Sequence, residues 1–227
     1  TIILAFLFDF DLIQVPKVAE GSFGEVYLAT KKKGSTIFAV KKIERKKIQG
    51  EKMIEYFNNE VSILRKMNHE NIIKLEEIKE THNSIFLITD YCNGGTLQEN
   101  LSKFKKINNT PFTEKIVIHF LKQISSALNY LHSQKIIHRD LKTDNILLHF
   151  DDEEDKKKLN FFKAKIKIID FGFAKFLNND ISSSIVGSPL NMDPSILKAY
   201  ADPNWRKHLQ YNEKADIYSS GVILFSL

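Results

Sequence analysis

Hydrophobic spacing changes character along this chain. Between Lys52 and Met67, the residues Ile54, Phe57, Val61 and Leu64 recur three and four apart, which predicts an amphipathic helix with one face on a core. The segments around it read as strands. Glu25 to Ala29 and Ile37 to Val40 are short β-rich runs, separated by the turn-prone stretch from Lys31 to Gly34. Strand-like runs return from Ile72 to Leu75 and from Ile85 to Ile88, and Asn93-Gly94-Gly95 then breaks the pattern.

Beyond that break the spacing predicts mostly helix. Thr113 is placed to cap a long helix to about Ser133, with Ile116, Phe120, Ile124, Leu128 and Leu131 on its buried side. The stretches from Ile136 to Leu148 and from Ile166 to Ile169 read as short strands and connecting loop. Between them, an acidic block followed by a basic block, Asp151 to Lys158, reads as a solvated loop insertion. Ile217 to Leu227 reads as a buried helix that is cut off, with apolar surface left open to association. The change from strand to helix near Asn93 is the one boundary, dividing residues 10–92 from 93–227.

Composition narrows the class without choosing a function. With 227 residues, 43% hydrophobic and 27% charged, the chain suits one large domain or two small lobes with a shared core. The net charge of +5 is carried by scattered lysines, with four arginines and no recurring basic helix face, so no nucleic-acid partner is expected. Cys92 is the only cysteine, which rules out an internal disulfide and favours a reducing, cytoplasmic setting. The apolar stretch from Ile2 to Phe8 is too short to span a bilayer and lacks the flanks of a signal peptide. The chain starts with Thr and stops inside the apolar run Val222 to Leu227, so both ends read as those of a fragment.

Candidate chemistry lies in four places. Gly21-Ser22-Phe23-Gly24 forms a glycine-containing turn between two strands, where absent Cβ atoms allow backbone amides close to phosphate; the same turn also serves an ordinary β-hairpin. A strand follows it, which argues against a dinucleotide fold. Lys41 ends an apolar strand, where a lysine commonly just faces solvent, but Glu60 on the predicted helix is placed to meet it. Most specific is His138-Arg139-Asp140-Leu141-Lys142-Thr143-Asp144-Asn145, a loop held between two apolar fragments. Within six residues it offers a carboxylate to accept a hydroxyl proton, a lysine to offset phosphate charge and an amide oxygen for Mg²⁺. A second carboxylate, Asp170, follows an apolar strand and precedes Phe171-Gly172.

As an ordered set, these motifs resemble the eukaryotic protein kinase family from about Gln14 to the last residue. The resemblance implies an α+β, bilobal protein-kinase fold: a β-rich N-lobe with one helix over residues 10–92, and a mainly α-helical C-lobe over 93–227 that lacks its last helices. It further implies transfer of the γ-phosphate of ATP to Ser or Thr hydroxyls of protein substrates, with ATP and Mg²⁺ as cofactors. Gly21, Phe23 and Gly24 would cover the phosphates, and Lys41 with Glu60 would hold them. Asp140 and Lys142 would act on the transferred group, and Asn145 and Asp170 would bind metal. Val26 and Ala39 would contact adenine from above and Leu147 from below. Thr89 would guard the back of the pocket, and Asp90 to Cys92 would form the hinge. Leu64, Leu75, His138 and Phe171 would stack into an apolar column.

Substrate class follows from the same resemblance. Lys142 together with Gly187-Ser188-Pro189 is similar to Ser/Thr rather than Tyr kinases, with Ser188 bonded near Asp140 and Lys142. Arg139 implies control by an upstream kinase acting on a loop that contains Ser182, Ser183 and Ser184. Within the family, the segments 170–175 and 187–190 are similar to Unc-51-like kinases and then to calcium/calmodulin-type kinases. The chain departs from the family pattern at Ala19, which replaces a loop glycine, and at Asn191, Asp193 and Ser195, where Tyr, Ala and Glu are usual. The altered Asp193 to Ser195 segment and the short C-lobe keep a pseudokinase or scaffolding module as the alternative, while Lys41, Asp140, Asn145 and Asp170 argue for the enzyme. Asp216 would anchor the catalytic loop from below.

Overall fold

A computed structural model of the chain describes residues 10–12, 19–21, 24–32, 34–176, 186–202, 204 and 212–227. It divides into two compact units, one of Thr1–Asn68 with Ile73–Cys92 and one of His69–Ile72 with Asn93–Leu227. The first is β-rich with one α-helix and the second mainly helical, an α+β architecture.

The first unit is an antiparallel sheet. Its strands are β1 (Phe10–Leu12), β2 (Ala19–Gly21), β3 (Gly24–Lys31), β4 (Ile37–Glu44), β5 (Leu75–Glu80) and β6 (Ser84–Asp90). They lie in the order β1-β3-β4-β6-β5, with β2 also paired to β3. Along β6, side chains alternate between two faces. Phe86 and Ile88 join Phe10, Ala29, Phe38 and Val40 on one side. Ile85 and Leu87 join Ile43 on the other, where Phe57 and Val61 of helix α1 (Glu51–Leu64) pack against them. Each such buried Phe, Ile or Leu contributes about 1.5–3 kcal/mol.

Two sequence expectations shift here. Ile54 is 45% exposed, so the buried stripe of α1 begins a turn later than its apolar spacing implies. Ile72 and Ile73 are buried, but the strand starts only at Leu75; Ile72 makes a single parallel bridge to Ile168.

The second unit is built on helices α2 (Leu97–Asn108) and α3 (Glu114–Ser133). Thr113 occupies the N-terminal cap position of α3 but its side chain makes no capping hydrogen bond, and Ile116, Phe120, Ile124, Leu128 and Leu131 are all buried. Phe104, Phe112, Phe120 and Phe161 form an aromatic core with ring centroids 4.9–6.0 Å apart. Two short antiparallel ladders join the connecting loops: β7 (Ile136–Ile137) with β10 (Lys175–Phe176), and β8 (Ile146–His149) with β9 (Lys165–Ile168).

The segment after β8 is not simply loop. Asp152 caps α4 (Glu153–Lys157), whose Glu153–Lys156 and Glu154–Lys157 pairs close at 3.1 and 3.2 Å. Acid-then-base order is itself a helix signal, because it places opposite charges three residues apart on one face. In α5 (Pro194–Ala201), Asp193 caps the first turn by accepting from Ser195 N at 2.8 Å, so this departure from the family pattern has a local structural use. The last helix, α6 (Lys214–Ser226), is buried on one face only. Asp216, Ser219 and Ile223 point inward, whereas Ile217 and Phe225 are 54% and 95% exposed: the helix is not buried all round, and the apolar surface expected to stay open on it does. Among the described residues, no helix is long and apolar enough to cross a membrane.

Candidate active site

In the second unit, the loop between β7 and β8 is fixed from below by one carboxylate. Asp216, fully buried, accepts from the backbone N–H of His138 on Oδ2 and of Arg139 on Oδ1, both at 2.9 Å. His132 Nε2 lies 3.0 Å from the same Oδ2. These bonds hold Arg139 in a left-handed conformation with φ 67°, which costs a non-glycine residue about 1–2 kcal/mol. His138 is also fully buried; its Nε2–H donates to Ile169 O at 3.0 Å, and its ring meets Phe171 edge-on at 5.0 Å.

Above this floor, Asp140 is the hub. Lys142 Nζ and Asn145 Nδ2 donate to its Oδ2 at 2.9 and 3.0 Å. Ser188 donates twice to Oδ1, from its backbone N at 2.8 Å and its hydroxyl at 2.7 Å. Lys142 Nζ also reaches Ser188 Oγ at 2.8 Å. An ionised carboxylate has about four acceptor sites, and all four are used. Gly187 makes this docking possible: at φ 113°, a Cβ there would run into the backbone carbonyl of Arg139. Phe173 O accepts from Arg139 Nε at 2.6 Å.

The candidate metal ligands adjoin the same loop. Asn145 spends both amide hydrogens on Asp140, on its backbone O at 2.8 Å and on Oδ2. Its Oδ1 is the coordinating atom left over. The bond from Ile169 N to Asn145 O, 3.0 Å, brings the Asp170 segment alongside. Asp170, with φ 65°, is partly exposed. One amide oxygen and one carboxylate fit Mg²⁺, a hard ion that usually completes its shell with water and phosphate. No group of three or more His, Cys, Asp or Glu side chains suited to a metal occurs among the described residues.

The first unit carries the other candidates. Lys41 Nζ meets Glu60 Oε1 at 3.1 Å, joining β4 to α1, with side chains 23% and 6% exposed. Val26 lies opposite Lys41, and Thr89 opposite Ala39. Directly opposed residues share a face, as do residues two apart, so Val26, Ala39, Lys41 and Thr89 all belong to one side of the sheet. Asp90 N donates to Lys74 O at 3.1 Å, and Cys92 is buried and in no disulfide.

Gly21 pairs with Gly24 where β2 turns into β3; Phe23 lies outside the described residues, as do Ser182, Ser183 and Ser184. Gly24 has a use of its own, since a Cβ there would clash with the Lys42 carbonyl. In the second unit, half-exposed Leu147 lies on β8 and bridges to Thr96. Sequence reasoning passed over Asn93, whose side-chain amide pairs with the backbone of Phe150. Its position next to two glycines was the available signal.

Comparison with known proteins bears on the family. The family described as "Protein kinase domain" matches residues 12–227. Calcium-dependent protein kinase 5 of Plasmodium falciparum and that of Plasmodium berghei are each 39% identical over 212 residues, 93% of this chain. Serine/threonine-protein kinase ATG1 of Debaryomyces hansenii is 33% identical over 237 residues, again 93% of this chain. The chain spans 33% of the length of the two Plasmodium proteins and 26% of the yeast one.

Proposed function

This chain belongs to the protein kinase family, and on that footing we propose that the protein is an ATP-dependent Ser/Thr kinase acting on hydroxyls of other proteins. The observation that carries the proposal is the Asp140 carboxylate held at once by Lys142, Asn145 and Ser188. A carboxylate so oriented is suited to take the proton of an incoming hydroxyl once Ser188 Oγ–H, its most replaceable donor, yields its place. Lys142 then offsets charge on the transferred phosphoryl group. The oxygens of Asn145 and Asp170 would hold Mg²⁺, which when bound neutralises phosphate charge.

Lys41, oriented by Glu60, serves the α- and β-phosphates, which the glycine-containing turn at Gly21 and Gly24 would approach with its backbone amides. Val26, Ala39, Thr89, Asp90, Cys92 and Leu147 serve the adenine. The reaction balances simply: the bond from the γ-phosphorus to the bridging oxygen of ADP breaks, a bond to the acceptor oxygen forms, and the hydroxyl proton passes to Asp140. Ser188 supports the Ser/Thr class, because its hydroxyl bonds both Asp140 and Lys142 and so shapes the site for a short hydroxyl.

Protein substrates and an upstream kinase acting on Ser182, Ser183 or Ser184 are the proposed partners, with Arg139 as the residue that would read the added charge. A single cysteine, Cys92, in no disulfide suits a cytoplasmic setting. The test is transfer of labelled γ-phosphate to a mixed protein substrate with and without Mg²⁺, followed by phosphoamino-acid analysis. Label on Ser and Thr that vanishes on chelation is expected. Label on Tyr, or transfer indifferent to chelation, would contradict the reading.

A further inference from the structure

Residues 93–96, a turn ending in an isolated bridge, are hydrogen-bonded alongside residues 147–150. Gly94 N donates to Leu148 O at 2.9 Å, Leu148 N donates to Gly95 O at 2.8 Å, and Thr96 bridges to Leu147. The approach is close: a Cβ on Gly94 would meet Leu148 O at 2.7 Å and the Phe150 ring at 2.9 Å. The last rung of this ladder is made by a side chain. Asn93 Oδ1 accepts from Phe150 N at 2.9 Å, and Asn93 Nδ2 donates to Phe150 O at 3.0 Å. A primary amide thus satisfies both backbone groups of one residue, as a neighbouring strand would.

That rung falls where β8 gives way to the segment containing α4. Phe150 is the first residue past β8 and is 2% exposed, so its backbone groups need partners inside the protein. The segment adds one contact of its own, from Asn93 Nδ2 to Glu153 Oε1 at 3.1 Å, but the Glu153 side chain is 61% exposed. An exposed contact of that kind is worth little. The paired bonds to Phe150 are the ones that fix Asn93.

We propose that Asn93 is a positioning residue for nucleotide binding, setting Leu147 at the height needed to support adenine by closing the ladder between 93–96 and 147–150. This rests on the nucleotide-binding reading above, in which Leu147 faces the adenine. Asn93 touches no reacting atom, so its removal should weaken ATP binding and spare the chemistry.

The test compares the protein with its Asn93→Ala, Asn93→Asp and Glu153→Gln variants. ATP affinity is read by titration with a non-hydrolysable ATP analogue, and kcat and KM by phosphate transfer. Losing the amide's hydrogen bonds should raise both the analogue Kd and the ATP KM about three- to tenfold in Asn93→Ala, with kcat at saturating ATP held within about twofold. Asn93→Asp, which keeps the acceptor and the shape but loses the donor and faces Glu153, should behave alike, and it supplies the answer if the alanine variant fails to fold. Glu153→Gln should stay within about twofold throughout. A merely structural role would lower thermal stability or kcat and leave affinity unchanged; that result overturns the proposal, as do unchanged constants in the aspartate variant. If the unaltered protein binds the analogue but transfers no phosphate, the kinase reading fails and the affinity comparison still decides for Asn93. If it binds no nucleotide, both fall together.

Discussion

Ser188 and Asp140, forty-eight positions apart in sequence, share one carboxylate oxygen: both the N–H and the hydroxyl of Ser188 donate to Asp140 Oδ1, at 2.8 and 2.7 Å. Replacing Ser188 by alanine keeps the backbone bond and removes the hydroxyl bond. Ser188→Ala should therefore keep Asp140 in place but let it rotate, lowering kcat about tenfold with little change in the ATP KM. Ser188→Thr should retain most of the rate. Steady-state kinetics checks this, and a lowered affinity for ATP with intact kcat would contradict it.

Asp216 is fully buried and holds two backbone amides and His132. Removing it leaves those donors without their acceptor. Asp216→Ala should lose at least about 3 kcal/mol of stability, read as a lowered denaturation midpoint in urea. An unchanged midpoint would mean that the catalytic loop holds its left-handed Arg139 by other means.

Gly24 separates a structural demand from a functional one. Because a Cβ there would meet the Lys42 carbonyl of the neighbouring strand, Gly24→Ala should destabilise the first unit's sheet as well as weaken ATP binding. Thermal denaturation distinguishes the outcomes. Weakened ATP binding at unchanged stability would assign Gly24 to the nucleotide alone.

His69 gives the expected pH dependence. Burial lowers its pKa below the ordinary 6.5, with Glu70 opposing that shift and Lys167 adding to it. Its Nδ1 accepts from Asn71 N at 3.0 Å, its Nε2 lies 3.1 Å from Ser126 Oγ, and its ring stacks on Tyr130 at 5.1 Å. The folded state thus favours the neutral ring, and the unfolded chain binds the proton more readily. Stability should begin to fall as pH drops through 6.5 and go on falling until pH is below the lowered folded value. In His69→Gln the slope of the melting temperature between about pH 8 and about pH 5 should be shallower. Equal slopes would contradict this.

What the sequence revealed follows from physical range. Helix α3 was legible to the residue at its start, because five apolar side chains keep one period over twenty residues. Helix α2 was not, since its exposed positions are polar and its apolar ones few. Its signal was the capping box, Thr96 with Glu99, whose reciprocal bonds are 3.0 and 2.8 Å. At Ile72 and Ile73, hydrophobicity reported burial and was taken for strand, while the strand that follows, Leu75–Glu80, alternates only weakly. The residues gathered around Asp140 could be named from the ordered motif, but their geometry could not be read from spacing. Ser188 and Asp216 lie 46 to 78 positions from the loop residues they bond. Asn93 escaped because a side chain acting as a strand's last rung leaves no periodic trace.

The central claim, that the Asp140 cluster transfers phosphate, is tested most directly by comparing the protein with its Asp140→Asn variant in Mg²⁺-dependent transfer of labelled γ-phosphate. The substitution keeps the shape and removes the base, so transfer should fall by about 10²-fold or more while ATP binding is retained. Equal transfer by the two proteins would contradict the assignment of Asp140.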